Sequence, residues 1–230
     1  MAEATTTAEP LTGRLVYLAS EEIRLAASLL YQAYHDDPVF QRIFQADKED
    51  YDQRLRAAIR EELMSFWQHK QPMVGVYEDN ILEGVLCLTR PGEHVGADRV
   101  WHWRLKMLLT AGWVSTKQML EKERIIQAAM PVENYHMLAF IAVHPRYQQR
   151  GLGDLLLRAA AAELRENENS EGVAVFATRP EYERFFGSRG YQPLQRIEVG
   201  GIDGLLMFHS REALLAQDEV NKTGAETDAV

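Results

Sequence analysis

The chain has 230 residues, 46% of them hydrophobic, and a formal net charge of −9, which is enough for one domain with a substantial core. No Lys/Arg block offsets the negative balance, so nucleic acid and anionic membranes are disfavoured as partners; an acidic surface suits a cationic acceptor or serves solubility alone. A single cysteine, Cys87, excludes an internal disulfide, and with no leader pattern and no apolar run of the ~18 residues a span needs, the sequence predicts a soluble, cytoplasmic protein.

In chain order, residues 1–12 are Ala/Thr/Glu-rich and predicted flexible, and Arg14 to Leu18 reads as a short strand. Ser20 is placed to cap a helix from Glu21 to about Tyr34, with Ile23, Ala26, Ala27 and Leu30 on one face. Asp36-Asp37-Pro38 ends it; the two aspartates are equally suited to a helix-ending turn and to attracting an ammonium group. A longer helix is predicted from about Lys48 to His69, with Leu55, Ile59, Leu63 and Phe66 at helical spacing. Met73 to Tyr77 and Leu82 to Thr89 then form a hairpin around Glu78-Asp79-Asn80, with Cys87 as a buried strand residue.

Asp98 to Met130 reads as a helical insertion interrupted near Gly112. Its Trp101, Trp103 and Trp113 are suited to lining an acceptor site, packing as core or forming a dimer face. A central strand is predicted from about Met137 to Val143, a helix to about Glu166, a polar loop from Asn167 to Gly172, and strands over Val173 to Ala177, Tyr191 to Val199 and Leu205 to His209. The last two are joined through Gly200 to Gly204. A short helix from Glu212 to Gln217 leads into a flexible tail, so the domain is expected to span residues 13–217, with 218–230 outside it.

The most informative stretch is Ala139 to Leu164, where an apolar strand runs into a glycine-bearing turn and then an amphipathic helix. Backbone N–H groups of Gln149, Arg150, Gly151, Leu152 and Gly153 would lie at the helix N-terminus, where the macrodipole favours an anion, and the glycines admit a pyrophosphate without a Cβ in the way. There is no G-x-x-x-x-G-K-[ST], and Gly151-Leu152-Gly153 lacks the third glycine of a dinucleotide fingerprint.

Gln148-Gln149-Arg150-Gly151-Leu152-Gly153, preceded by Val143-His144-Pro145, resembles the Q/R-x-x-G-x-G/A signature of the Gcn5-related N-acetyltransferase (GNAT) superfamily. The resemblance implies an α/β (α+β) fold with a mixed, mostly antiparallel central sheet flanked by helices. It also implies that acetyl-CoA or another acyl-CoA is the co-substrate, with no metal. The loop from Gln148 through Asp154 would hold the pyrophosphate, and Ile141, Ala142 and Val143 would pair with the pantetheine arm, a backbone N–H among them meeting the thioester oxygen. The N-terminal layout, with Asp36 to Phe44 and a long helix before the hairpin, resembles more loosely the puromycin N-acetyltransferase-like subgroup.

A second block, Ala177 to Leu194, looks like the family segment carrying F-Y-x-x-x-G-F, read here as Phe185-Phe186-Gly187-Ser188-Arg189-Gly190-Tyr191. Phe185 and Phe186 would close over the co-substrate, but the tyrosine that usually protonates the leaving thiolate falls on Phe186. The carboxylate many members carry on the central strand falls on Ala139. Tyr182, one helical turn before Phe186, is the substitute acid expected from spacing. His136, with Glu133 and Tyr135 beside it, is the expected base, although strand alternation points His136 away from the Ala139 face unless a bulge intervenes.

The function expected is acyl-CoA-dependent N-acylation of a primary amine on a small molecule or peptide, by a monomer or homodimer. A non-catalytic acyl-CoA sensor on the same fold is the alternative. A hydrolase or O-acyltransferase has less support, since no G-x-S-x-G nucleophile motif is present.

Overall fold

The computed structural model describes residues 13–92 and 112–216. The expected flexible ends, and Trp101 and Trp103 of the insertion, lie outside the described residues.

Strand β1 (Arg14–Tyr17) leads through a 3-10 turn (Ser20–Glu22) into α1 (Ile23–Tyr34). Ser20 lies inside that turn and does not cap the helix; the Glu22 carboxylate accepts from the Ala19 N–H at 2.5 Å instead. A short helix that the sequence reading missed, α2 (Pro38–Phe44), follows, and then α3 (Tyr51–Gln68), which begins three residues later than predicted. The β2 (Met73–Glu78) and β3 (Ile81–Thr89) hairpin forms as predicted. The described part of the insertion is α4 (Gly112–Ala129), opening at the predicted interruption with Gly112 at φ 83°. Then come β4 (His136–Val143), α5 (Leu152–Glu166), β5 (Gly172–Ala177), α6 (Pro180–Gly187), β6 (Gln192–Val199) and β7 (Ile202–Ser210). β7 starts earlier than predicted because the turn is a tight pair, Gly200-Gly201, both at positive φ.

The seven strands form one sheet in the order β1-β2-β3-β4-β5-β7-β6. Every neighbouring pair is antiparallel except β4 with β5. Both faces are covered, so β3 reads as a near-continuous apolar run. Leu82, Val85 and Cys87 pack under α1, α2 and α3, against Leu30, Ile43, Phe44, Leu55, Ile59, Leu63 and Phe66. Leu86 and Leu88 face the opposite layer, where Leu152, Leu156, Ala160 and Leu164 recur along one side of α5. Each such fully buried Leu or Phe is worth about 1.5–3 kcal/mol. Carbonyls of the last turn of α5 and of the loop after it are gathered by Arg211, which donates to the Leu164, Asn167 and Ser170 oxygens at 2.6, 2.9 and 3.3 Å.

The β4 to β5 junction is the unusual one. Only His136 with Val173 and Met137 with Ala174 are in register there. Just beyond, Cys87 pairs with Phe140 and Leu88 with Leu138, leaving Ala139 as an extra residue on β4. That bulge bends β4, and from Leu138 onward its edge parts from β5. Ala139 and Phe140 consequently pack into the same layer, whereas a regular strand would alternate them.

Candidate active site

The parting of β4 and β5 opens a cleft of about 870 Å³. One wall is β4 from Leu138 to Val143, and the other is Val175, Phe176 and Thr178 with Tyr182, Phe185 and Phe186 of α6. The loop and helix start from Pro145 to Asp154 close one end, and Lys122, Glu123, Ile126 and Gln127 of α4 close the other. Tyr34, Asp37 and Phe40, from the α1–α2 corner, line it as well.

At the loop end, Pro145–Tyr147 makes a 3-10 turn in which His144 Nδ1 accepts from the Arg146 N–H at 3.2 Å. Gln149 sits at φ 62° and Gly151, the N-cap of α5, at φ 77°. Left-handed steps of this kind just before a helix start are the sort of backbone from which an anion-binding nest is built. The first internal bonds of α5 run from Asp154 and Leu155 to the Gly151 carbonyl, at 3.0 and 3.2 Å. The Leu152 and Gly153 amides therefore project from the helix end. A Cβ on Gly153 would stand 2.9 Å from Phe185 Cζ, so the glycine is what lets α6 close onto the start of α5.

The side chains of the loop are engaged differently. Arg150 is turned away from the cleft and pairs with Glu78 and, at 3.3 Å, with Glu83, the latter only 2% exposed. An anion placed at this helix start would meet main-chain dipoles rather than that guanidinium. Asp154 is gripped by Arg189, whose guanidinium also stacks 3.8 Å above the Phe185 ring.

Two residues of β4 turn their backbone toward the cleft. Ile141 N donates to Tyr34 Oη at 3.1 Å, and the same hydroxyl donates back to the Ile141 oxygen at 3.1 Å. Val143 O accepts from Gln148 Nε2 at 3.1 Å. An extended amide-bearing chain laid along this edge would find the spacing of a missing strand.

The expected catalytic residues separate. Tyr182 lines the cleft half-buried, its phenol held above its ordinary pKa by desolvation and so kept protonated. Phe186 is 4% exposed and wedged edge-on between Phe185 and Tyr191, with centroids 5.1 and 5.2 Å away. His136 does not reach the cleft. It precedes the bulge, is fully buried where β4 and β5 still pair, and its Nδ1 lies 2.8 Å from Ser170 Oγ. Glu133 is exposed. Tyr135 is buried at the cleft's edge, where desolvation pushes its phenol to about 12. Trp113 is 69% exposed on α4 and does not belong to the cleft lining.

Tyr34 and Glu62 line the cleft without having received a chemical role from the sequence, and Asp37, read there as a turn residue or an attractor of ammonium, lines it with them. Asp37 is 2% exposed; Oδ1 accepts from the Val39 and Phe40 N–H groups at 3.0 and 3.1 Å and caps α2, while Oδ2 accepts from Thr178 Oγ1 at 2.5 Å. Asp at N-cap followed by Pro at N1 is a helix-start signal that was present in the sequence. Glu62 is 8% exposed on α3. Beside it, burial and the Glu62 charge push the Cys87 thiol far up, so that sulfur is inert.

Residues 113–193 match the family model described as an acetyltransferase (GNAT) domain. The chain has the GNAT acetyltransferase fold. A histone acetyltransferase HPA2 and related acetyltransferase from Corynebacterium glutamicum is 17% identical, with a TM-score of 0.63, covering 85% of this chain and 94% of its own. A GNAT-family acetyltransferase from Streptococcus agalactiae is 13% identical, with a TM-score of 0.57, covering 86% and 95%. The PaiA N-acetyltransferase from Thermoplasma acidophilum, solved in complex with coenzyme A, is also 13% identical, with a TM-score of 0.54 over 87% of this chain and 99% of its own. No curated protein matches the sequence. Among the described residues, no helix is long and apolar enough to cross a membrane, and no group of three His, Cys, Asp or Glu side chains is arranged to hold a metal ion.

Proposed function

We propose that this GNAT-fold protein is an acyl-CoA-dependent N-acyltransferase that moves acetyl to a primary amine of a small molecule or peptide by direct attack. The observation carrying the proposal is the continuous cleft, which joins a glycine-turned helix start to the stretch of β4, Leu138 to Val143, that β5 leaves unpaired. The residues fit such a co-substrate: the nest at Gln149 to Gly153 suits a pyrophosphate, and the β4 edge suits the amides of the pantetheine arm. Bound acyl-CoA supplies an activated thioester; the rest is done by the chain.

Tyr182, protonated and facing the cleft, donates a proton to the sulfur as the C–S bond breaks. Asp37 takes the proton that the attacking nitrogen gives up, directly or through a water. A base matters because a lysine-like amine of pKa about 10.4 gives up roughly 4.6 kcal/mol to become neutral at pH 7, an α-amine near 7.8 only about 1. Asp37, Glu62 and Glu123 outnumber Lys122 along the α1–α4 side of the cleft, which favours acceptors that arrive as cations. The α1–α3 layout ahead of the hairpin supports placing the chain near the puromycin-type subgroup.

Calorimetry with acetyl-CoA and coenzyme A release across an amine panel from about pH 6 to 10 test this, with the rate expected to rise with pH while deprotonation limits. Phe186 favours one other reading, a non-catalytic acyl-CoA sensor: acetyl-CoA binding without release of coenzyme A to any amine would establish it.

A further inference from the structure

Acyl transfer needs a donor that meets the negative charge developing on the thioester oxygen, and the cleft-facing amide of β4 at Ile141 is already spent on a side chain. Tyr34 Oη accepts that N–H and returns its own hydrogen to the Ile141 carbonyl, both at 3.1 Å. The Tyr34 ring is clamped edge-on by Phe40 and Phe140, with centroids 5.2 and 5.5 Å away. The ring cannot swing clear without disturbing both, and the freedom left to the phenol is rotation of its O–H about the C–O bond.

We propose that Tyr34 is a catalytic residue whose hydroxyl extends the Ile141 amide into the cleft and donates to the thioester oxygen during acyl transfer. The inference rests on the acyl-CoA reading above. On loading, the hydroxyl keeps the Ile141 N–H as its donor and turns its hydrogen from the Ile141 carbonyl to the substrate oxygen. No proton leaves Tyr34. The amine nitrogen bonds to the carbonyl carbon, the C–S electron pair leaves with sulfur, and the oxygen's transient charge is held by the Tyr34 O–H. The Ile141 N–H polarises the phenol and strengthens it as a donor. Burial holds the Tyr34 phenol well above its ordinary pKa, so it stays a donor across the working range. Tyr34 lies three residues before Asp37, so the α1–α2 corner brings a donor and a base to the same cleft.

Tyr34→Phe keeps the clamped ring and removes only the hydroxyl. The expected result is a kcat about 10²–10³-fold lower, the loss that follows removal of one oxyanion donor, with the acetyl-CoA Kd from calorimetry within about threefold of wild type. Infrared difference spectra of bound acetyl-CoA labelled at the carbonyl carbon give a readout independent of turnover. The carbonyl stretch should lie lower in the wild type than in Tyr34→Phe. Wild-type kcat together with an unshifted carbonyl band in the variant would overturn the assignment and leave the acyl-CoA reading standing. A lowered melting temperature with kcat intact would reduce Tyr34 to a structural strap. A wild type that does not bind acetyl-CoA would remove the acyl-CoA reading and this one together.

Discussion

Replacing Asp37 separates its two roles. Alanine removes the carboxylate that caps the Val39 and Phe40 N–H groups, worth about 1 kcal/mol, and leaves the Thr178 hydroxyl without its acceptor, worth about 1–3 more. A total of about 2–4 kcal/mol at a residue 2% exposed corresponds to a fall in Tm of roughly 5–15 °C for a chain of this size. Asparagine keeps an oxygen at the cap, where it ranks with aspartate, and its NH2 can donate to Thr178 Oγ1 in place of accepting from it, so Asp37→Asn should cost only about 1 kcal/mol. It removes the charge, however, and with it the base. The expected kcat/KM is therefore about 10²–10⁴-fold below wild type in a protein that melts almost normally. Thermal melts of both variants, with kcat/KM measured from about pH 6 to 10, decide the matter, the rate deficit being widest for the most basic amines. Wild-type turnover by Asp37→Asn would mean that the residue is a helix cap and nothing else, and that the base lies elsewhere.

Gly151→Asp and Gly153→Asp should each weaken acetyl-CoA binding more than tenfold (about 1.4 kcal/mol) by calorimetry, through a charge in the nest and, at Gly153, a Cβ 2.9 Å from Phe185 Cζ. Unchanged affinity in both folded variants would move the pyrophosphate elsewhere. Tyr182→Phe should lower kcat several-fold with acetyl-CoA affinity intact; an unaltered kcat would assign protonation of the thiolate to water or to another group. His35 is held above its ordinary pKa first by Asp36, at 2.7 Å, and then by Asp52, at 3.1 Å. A raised pKa means that the folded state holds the proton longer, so this stability is complete below about pH 6.5 and is lost as pH rises through the folded value. Melts from about pH 5.5 to 9 should show that decline in wild type and a flatter profile in His35→Gln; equal slopes would refute it.

The parts legible in the sequence are those whose physics is local. Val143-His144-Pro145 and the Gln148 to Gly153 turn prescribe a strand end, a left-handed step and a helix start within a few residues, and the structure has them there. Leu55, Ile59, Leu63 and Phe66 announced α3 by spacing alone, and all four are buried. The bulge at Ala139 was not legible, because it is a property of pairing with β3 that side-chain alternation on β4 does not encode. His136 looked available as a base because a strand pattern does not say where β5 stops pairing, and it stands in the paired stretch. Tyr34 was hidden for a related reason: its partner lies 107 residues away in sequence, and nothing about a tyrosine at a helix end identifies the amide it will meet. The Asp37-Pro38 pair is legible as a helix start, but it follows directly on a helix end, and the seven residues of α2 are too few to show a helical period of their own.

A strand edge without a partner invites another chain to pair with it, and proteins blunt such edges to stay free of aggregation. The edge of β4 from Leu138 to Val143 is one of these, exposed by the very divergence that makes room for a substrate. It lies inside the molecule between two halves of one sheet, and its cleft-facing polar groups at Ile141 and Val143 are already answered by Tyr34 and Gln148. Two side chains thus stand in for the missing strand, and this stretch of β4 does not offer another chain a template for fibrils.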